Sequence, residues 1–466
     1  MTSPSGEKGP EQVSAHRGQR CFLVTALVSF GILYVVTIAC VLNVYRRAVL
    51  CPASKRTGEL VGPASPICST ASPETDAVST ATAIPEITRL ASNADTEQPL
   101  VTPESSPRLE KTPPPGALLS RGPYIQWVQP HSVIIAWETN REVTGAVEYG
   151  RTQSYGSTCS DDTLTARHAI TLTGLSPHTT YHYRANIGQL GWSSDSTFTT
   201  APGPERSSFK FVVIGDTHSG VYEFPRRRRE IDGAHRLLVK RIANLAPDFY
   251  LHTGDLVQEG ADSAAWEDFF SIEGSLMSKI CMFPTLGNHE RNHENYFEFF
   301  YLPQNERWYS FDTGNAHFVS LEVDGYADIA PGSEQYEWLI NDLSTDNSTW
   351  RFVFFHFPSF SSGGGYGSDP QVQEYLVPIF LRYGVDMVFN GHEHNYQRNV
   401  VDSVTYLQTS GGGAITRPPG EFEWTSYAEE TRHVIVVSVN GDRLHAVAIR
   451  PDGSRFDPFT LYADQS

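Results

Sequence analysis

The sequence is poor in cysteine and in basic residues, and both shortages exclude classes of protein. Six cysteines among 466 residues are too few for a disulfide scaffold, and no Cys-x-x-Cys pair indicates a zinc ribbon. Lysine and arginine number 35 against 53 aspartate and glutamate residues, a formal net charge of -18 at pH 7. We therefore expect no general nucleic-acid binding, although a local basic patch stays open. Four cysteines lie before residue 70, so cysteine content does not identify the redox compartment.

One long uncharged run lies near the N-terminus. Residues 22–45 contain no charged side chain and no histidine, and a helix of that length spans about 36 Å, enough to cross a hydrocarbon core of about 30 Å. We predict a transmembrane helix there, in preference to a buried core helix or a lipoprotein signal ending at Cys40.

The residues around this run set the expected topology. Residues 46–118 are rich in Ser, Thr and Pro and lack apolar periodicity, which predicts a disordered linker. Basic residues flank the helix almost evenly, so they do not choose an orientation. Because long stalks are commoner outside the cell, we expect residues 1–21 to be a short cytoplasmic tail. The chain would then be a single-pass membrane protein with an extracellular catalytic domain.

Residues 119–202 form a first folded unit in this interpretation. Short runs rich in β-branched and aromatic residues alternate with turn signals such as Thr139-Asn140-Arg141, which predicts an all-β sandwich. The segment Gly174–Tyr183 resembles the Gly-Leu-x-Pro-x-Thr-x-Tyr-x-Tyr segment of fibronectin type III domains. No cluster of catalytic residue types occurs here, so we expect a fibronectin-like spacer or binding module.

Residues 205–466 alternate apolar strands with helical stretches, which predicts a layered α/β domain. The predicted helices cover residues 231–246 and 335–343, and Asn440-Gly441 predicts a hairpin. Five apolar runs are predicted to be buried strands: residues 209–214, 248–252, 281–286, 352–355 and 385–389.

Polar side chains follow each of these five strands. The motifs are Gly-Asp-Thr-His at 215–218, Gly-Asp at 254–255, Gly-Asn-His-Glu at 287–290, His356, and Gly-His-Glu-His at 391–394. In an α/β sheet, ligands bind at the carboxyl ends of the strands, so we expect these side chains to meet at one rim. Their carboxylate, imidazole and amide donors suit Fe, Zn or Mn. A turn or a buried histidine explains any one motif, but all five together predict a site for two metal ions.

This order of motifs resembles that of the calcineurin-like metallophosphoesterases. The run Gly-His-Glu-His-Asn-Tyr-Gln-Arg at 391–398 and the preceding β domain are similar to the purple acid phosphatase branch. The resemblance implies an α-β-β-α layered fold. It also implies that Asp216, His218, Asp255 and His394 bind one metal ion. The second ion would be bound by Asp255, which bridges the pair, with Asn288, His356 and His392.

Two departures from the purple acid phosphatase pattern stand out. Three residues after the bridging aspartate, where these enzymes have an iron-ligating tyrosine, this chain has Gln258. We therefore expect His218 to take that coordination position and the protein to lack the violet colour. Further histidines that serve the leaving group in several purple acid phosphatases have no counterpart in residues 358–369, so His289 is the best candidate for that acid.

The residue set predicts hydrolysis of phosphate monoesters by a hydroxide bridging two metal ions. Asp255 and His289 are the predicted catalytic residues, and Arg226, Arg227, Tyr366 and Tyr396 are candidates for substrate binding. The four arginines from Arg226 are also explained by a solvated helix face. Two alternatives stay open: a phosphodiesterase or nucleotide hydrolase on the same site, and a surface binding protein without catalysis.

Overall fold

A computed structural model describes residues 67–70, 119–220 and 225–463, which all belong to the unit Ala64–Ser466. The predicted cytoplasmic tail and transmembrane helix lie outside the described residues, as does the predicted linker apart from residues 67–70. Within the described part of the chain, no helix is both long enough and apolar enough to cross a membrane.

The N-terminal part of the described chain is a six-stranded sheet. Its strands are β1 (Ile67–Thr70), β2 (Leu119–Gln126), β3 (Ser132–Gly150), β4 (Ser157–Thr173), β5 (Thr180–Ala185) and β6 (Ser196–Thr199). They follow the order β1-β4-β3-β5-β6, and β2 pairs with β3. All neighbouring strands are antiparallel.

This sheet differs from the predicted sandwich of two separate sheets. Thr139-Asn140-Arg141, predicted to be a turn, lies inside β3, and β3 pairs with β4 on both sides of it. The long partner strand keeps these residues extended, so the pairing only shifts register there. Trp137 is buried and stacks on His168, with ring centroids 4.6 Å apart.

The strand β4 also carries a cysteine that is not free. Cys159 is disulfide-bonded, and Cys68 is the residue opposite it in the β1–β4 register. Cys281, on a later strand, is buried and free. The short strand β1 is therefore the part of the predicted linker that the structure places against the folded sheet.

The C-terminal part consists of two mixed sheets with helices. Its strands are β7 (Ser208–Ile214), β8 (Phe249–His252), β9 (Cys281–Pro284), β10 (Tyr309–Thr313), β11 (Ala316–Ser320), β12 (Trp350–Phe355), β13 (Met387–Asn390), β14 (Tyr396–Val401), β15 (Val404–Thr409), β16 (Thr425–Glu429), β17 (Val434–Asn440), β18 (Arg443–Ile449) and β19 (Arg455–Tyr462). Its helices are α1 (Pro225–Leu245), α2 (Ser263–Met277), α3 (Glu294–Phe299), α4 (Glu334–Thr345) and α5 (Val377–Arg382), which continues a π-helical turn (Val372–Leu376).

The five motif-bearing strands are divided between the two sheets. One sheet has the order β19-β18-β17-β7-β8-β9, and the other β10-β11-β12-β13-β15-β14-β16. Within the first, β7, β8 and β9 are parallel; within the second, β11, β12, β13 and β15 are parallel. The predicted hairpin at Asn440-Gly441 joins β17 to β18.

Aromatic side chains fill the space between the two sheets. Phe211 on β7 lies 5.4 Å from Phe352 and 5.9 Å from Phe389 of the facing sheet, measured between ring centroids. All three rings are fully buried. Tilted and edge contacts of this kind add about 0.5–1.5 kcal/mol per pair to the burial of the rings. This layer holds the carboxyl ends of both parallel sets at one edge.

The N-terminal sheet packs on the same layer. Trp127, just after β2, makes edge contacts with Phe283 and Tyr309, each with centroids 5.9 Å apart. The Tyr124 hydroxyl donates to the carbonyl of Phe299 at 3.0 Å, and the Tyr183 hydroxyl to that of Ser278 at 2.8 Å. These contacts fix the N-terminal sheet against β9, α2 and α3.

Candidate metal centre

The loops after the motif strands have an unusual backbone. Five predicted ligands have φ angles in the left-handed region: Asp216 (56°), His218 (49°), Asp255 (54°), His392 (81°) and His394 (57°). A left-handed backbone conformation costs a non-glycine residue about 1–2 kcal/mol, and such strain persists where function requires it. Their concentration at one edge therefore indicates a functional site.

Glycines let these loops approach one another. A Cβ atom added to Gly287 would lie 2.3 Å from the Asp255 Oδ1 atom, and one added to Gly391 would lie 2.7 Å from the His356 Nδ1 atom. No side chain fits at either distance, so only glycine lets the strand-end loops pack this closely.

The structure brings the predicted ligands together in two groups. The first comprises Asp216, His218, Asp255 and His394, and the second Asp255, His356 and His392; within each group the candidate ligand atoms lie within 4.8 Å of one another. Asp255 is common to both groups. Asn288, a predicted ligand of the second ion, has its Oδ1 atom 3.0 Å from the His356 Nε2 atom.

Backbone carbonyl groups orient two of the histidines. The Nδ1 of His356 lies 2.9 Å from the Thr253 carbonyl, and that of His394 lies 3.1 Å from the Ile415 carbonyl. A carbonyl only accepts, so both Nδ1 atoms carry hydrogen and both Nε2 lone pairs stay available. His356 Nε2 lies 3.3 Å from Asp255 Oδ2, and His394 Nε2 lies 3.4 Å from Asp216 Oδ1. Metal-binding histidines are commonly fixed by such outer hydrogen bonds.

Gln258 orients two more histidines. Its Oε1 atom lies 3.1 Å from His218 Nδ1, which leaves His218 Nε2 on the side of Asp255 Oδ2, 3.2 Å away. Its backbone carbonyl accepts from His289 Nδ1 at 2.7 Å. The residue that replaces the iron-ligating tyrosine of the purple acid phosphatase pattern therefore acts as a hydrogen-bonding support for the two neighbouring rings.

Without a metal ion, the buried aspartates and histidines of the site shift one another's pKa values. Burial opposes ionisation of Asp216 and Asp255, but hydrogen bonds and charge from the surrounding histidines outweigh it and hold the pKa of both carboxyls below the usual value. Burial likewise opposes the charged form of the histidines, but the two aspartates raise the pKa of His218 to about 10 and that of His356 to about 9. A cation in the site replaces these protons, so its binding strengthens as pH rises.

Glu290 links two of the loops through hydrogen bonds. Its buried carboxylate accepts hydrogen bonds from the backbone N–H groups of Asp255 (2.9 Å), Val257 (3.2 Å) and Gly287 (2.8 Å). Burial and the charge of Asp255 raise the pKa of Glu290 to about 8. Glu290 has no exposed surface, so it supports the loops and does not reach a substrate.

His289 lies beside the two groups. Its Nε2 atom is 4.0 Å from Asp255 Oδ2, and burial lowers its pKa. Because Nδ1 donates to the Gln258 carbonyl, Nε2 is the atom that faces the site. The residue is partly exposed, with 27% of its side chain accessible, so a substrate can contact it.

The predicted substrate contacts lie in different environments. Arg226 and Arg227 are exposed at the start of α1. Tyr366 is 67% exposed, and its ring centroid lies 4.2 Å from that of His392. The prediction that Tyr396 contacts the substrate is wrong. Its side chain is fully buried and packs on Phe456, and its hydroxyl donates to another side chain, so it cannot bind substrate.

Two residues beside the site have no predicted role in the sequence analysis. Glu393, between two predicted ligands, is fully buried and accepts hydrogen bonds from the backbone N–H groups of residues 365–367 at 2.6–2.8 Å. Arg417 has its guanidinium carbon 4.9 Å from the centre of the Tyr366 ring. Both contacts join residues distant in sequence, and no local motif indicates them.

Comparison with known proteins identifies the family. Residues 209–396 match the model of the calcineurin-like phosphoesterases, and residues 121–200 match that of the purple acid phosphatase N-terminal domain. Residues 209–396 therefore form a calcineurin-like metallophosphoesterase domain. The match at residues 121–200 confirms the predicted similarity to purple acid phosphatases in this part of the chain, whereas the comparisons do not support the fibronectin type III likeness.

Several proteins are similar to this chain. A probable purple acid phosphatase of Arabidopsis thaliana is 26% identical over 311 residues, 59% of this chain and 68% of the relative. Acid phosphatase type 7 of Mus musculus is 29% identical over 262 residues, 50% of this chain and 56% of the relative. Other Arabidopsis relatives are named probable inactive purple acid phosphatases. The match spans 43–68% of the length of these relatives.

A solved structure supports the fold. A purple acid phosphatase from yellow lupin (Lupinus luteus) seeds aligns with a TM-score of 0.63 and 18% sequence identity, covering 74% of this chain and 75% of the other chain. At this level of identity the alignment shows the shared fold alone.

Proposed function

We propose that this protein hydrolyses phosphate monoesters at a site for two metal ions. The observation that carries the proposal is the pair of ligand groups that share Asp255. Two-metal phosphoesterases hold their ions about 3.5–4 Å apart through a shared ligand. Family membership supports a hydrolase, and the choice of monoesters over diesters is our own.

The residues fit a metal pair. Imidazole, carboxylate and amide oxygen atoms are the donors that Fe, Zn and Mn accept, and no thiolate contributes to either group. Asp216 and Asp255 have no more than 2% of their side chains exposed, and buried carboxylates of this kind are normally paired or bind metals. Asp216, His218, Asp255 and His394 would hold one ion. Asp255, Asn288, His356 and His392 would hold the other.

The protein's own groups then have distinct tasks. Two bound cations would offset charge on the phosphate oxygens and would lower the pKa of water, so that hydroxide is available to attack phosphorus. Asp255 joins the two groups, and Glu290 holds the Asp255 and Gly287 backbones in place. His289 presents Nε2 to the substrate. It would protonate the leaving oxygen only as the imidazolium, and burial works against that form because it lowers the pKa of His289.

We also propose that the enzyme is tethered to a membrane with its folded part outside the cell. The uncharged run at residues 22–45 supports the tether. The disulfide at Cys159 supports exposure to an oxidising compartment, because such bonds are rare in the cytosol. Protease digestion of intact cells expressing the full chain tests this: the folded part must be cleaved from outside, and its protection would contradict the proposal.

A substrate panel tests the activity. We expect the protein loaded with Mn, Zn or Fe to hydrolyse p-nitrophenyl phosphate faster than its bis-ester, and the Asp255→Asn variant to lose the activity of the wild type. The exposed control Glu374→Gln should keep it. Faster hydrolysis of the bis-ester would make the enzyme a phosphodiesterase. If neither ester reacts at any pH from acidic to alkaline, the protein is a binding protein.

A further inference from the structure

Arg417 lies beside the candidate metal centre and has no carboxylate partner among the described residues. Arg417 is partly buried, and one N–H of its guanidinium donates to the His392 carbonyl at 3.3 Å. In the described part of the chain it forms no ion pair. By contrast, Arg398 pairs with Asp457, Arg450 with Glu429, and Arg432 with Glu230. Most of the N–H groups of Arg417 are therefore left for another acceptor.

Neighbouring residues keep the Arg417 guanidinium close to the candidate metal centre. The guanidinium carbon lies 4.9 Å from the centre of the Tyr366 ring, within the range of a cation–π contact. Tyr366 in turn lies over His392, a predicted ligand of the second ion, with ring centroids 4.2 Å apart. The Arg417 backbone N–H donates to the His394 carbonyl at 3.1 Å. Arg417 and Tyr366 thus border the exposed side of the ligand loop 391–394.

Hydrogen bonds to Glu393 fix the loop that carries Tyr366. The Glu393 carboxylate accepts from the N–H groups of Gly365, Tyr366 and Gly367 at 2.7, 2.8 and 2.6 Å. A Cβ atom on Gly365 would lie 2.7 Å from Arg417 Nη1, so the loop passes directly beside the guanidinium. These contacts preorganise the pair of Tyr366 and Arg417, which reduces the entropy lost when a ligand binds.

We propose that Arg417 binds a second anionic group on the alcohol portion of the substrate, so that the enzyme favours phosphate esters of anionic alcohols and phenols. The inference rests on the proposed function, because it assumes that the reacting phosphate occupies the metal centre next to His392. The chain carries a net charge of -18, so a doubly anionic substrate needs local positive charge. Arg417 supplies that charge beside His392, and its planar fork suits carboxylate or phosphate.

Binding of phosphonates tests the proposal without requiring catalysis. Calorimetry on the metal-loaded full chain compares phenylphosphonate with its 3-carboxy and 4-carboxy derivatives. We expect at least one carboxy derivative to bind about 10-fold more tightly, the effect of one charge-assisted hydrogen bond at a partly exposed site. This ratio should fall to about 1 in Arg417→Met and be partly kept in Arg417→Lys. The exposed control Arg455→Met should retain it.

The outcomes separate this inference from the proposed function. An unchanged ratio in Arg417→Met, or a wild-type ratio of about 1, overturns the inference, and hydrolysis of phenyl phosphate would still support the function. A ratio that depends on Arg417 without hydrolysis of any phosphate supports the anion site and refutes the function. If the metal-loaded protein binds none of the phosphonates, both are refuted.

Discussion

Replacing Glu393 with glutamine removes one of the two carboxylate oxygens that hold the loop at residues 361–368. In the wild type, Oε2 accepts from Gly365 N–H at 2.7 Å, and Oε1 accepts from Tyr366 and Gly367 N–H at 2.8 and 2.6 Å. The glutamine amide nitrogen cannot accept a hydrogen bond, so one N–H loses its partner and the other two lose the charge of theirs.

The size of the effect follows from these three bonds. A hydrogen bond to a charged group contributes about 1.5–3 kcal/mol and a neutral one about 1 kcal/mol, but the opened loop regains bonds to water. We expect the free energy of loop opening to fall by about 2 kcal/mol, which corresponds to roughly 30-fold faster exchange of the three amide hydrogens.

Hydrogen exchange followed by NMR or mass spectrometry measures this directly. The metal-free protein is used for the comparison, so that loss of metal cannot account for the change. The exposed control Glu374→Gln should leave exchange at residues 365–367 as it is in the wild type. Equally slow exchange in Glu393→Gln and wild type would refute the role of Glu393 in holding the loop.

Three further predictions concern pH, colour and packing. Burial opposes the charged form of His317, but Asp312 and Asp342 raise its pKa to about 9. The resulting stabilisation of about 3 kcal/mol is complete below about pH 6.5 and is lost as pH rises through 9. Urea titrations should show this loss in wild type and not in His317→Gln. The iron-loaded wild type should lack a visible charge-transfer band, and Gln258→Tyr should gain one; a violet wild type would contradict our reading of Gln258. Trp127→Ala should lower the free energy of unfolding by about 2–4 kcal/mol. The exposed control Leu164→Ala should lower it by less than about 0.5 kcal/mol. Equal effects would show that Trp127 does not anchor the N-terminal sheet.

The motif strands were predictable because their signals are local. The apolar runs at 209–214 and 352–355 overlap β7 and β12, and polar residues follow each one directly. The division of these strands between two sheets was not predictable, because apolar runs look alike whichever neighbour they pair with. The turn expected at Thr139-Asn140-Arg141 failed for a related reason: pairing with the long strand β4 overrides a local turn preference.

The site itself was only partly predictable. The metal-ligand types and their order are readable in the sequence, and the structure groups them around Asp255. Tyr396 was placed among the substrate contacts because it follows the last motif, but β14 buries its ring against Phe456. Arg417 lies more than twenty residues beyond His394, and only the return of the chain from β15 brings it to Tyr366.

Counting metal ions per chain is the most direct test of the proposed site. Full-length protein reconstituted with Mn, Zn or Fe, freed of loosely bound ions and measured by mass spectrometry, should hold two ions per chain. Asp255→Asn, which alters the residue common to both ligand groups, should hold fewer, and Glu374→Gln should hold two. One ion or none in a folded wild type, or two in Asp255→Asn, would contradict a metal pair that shares Asp255.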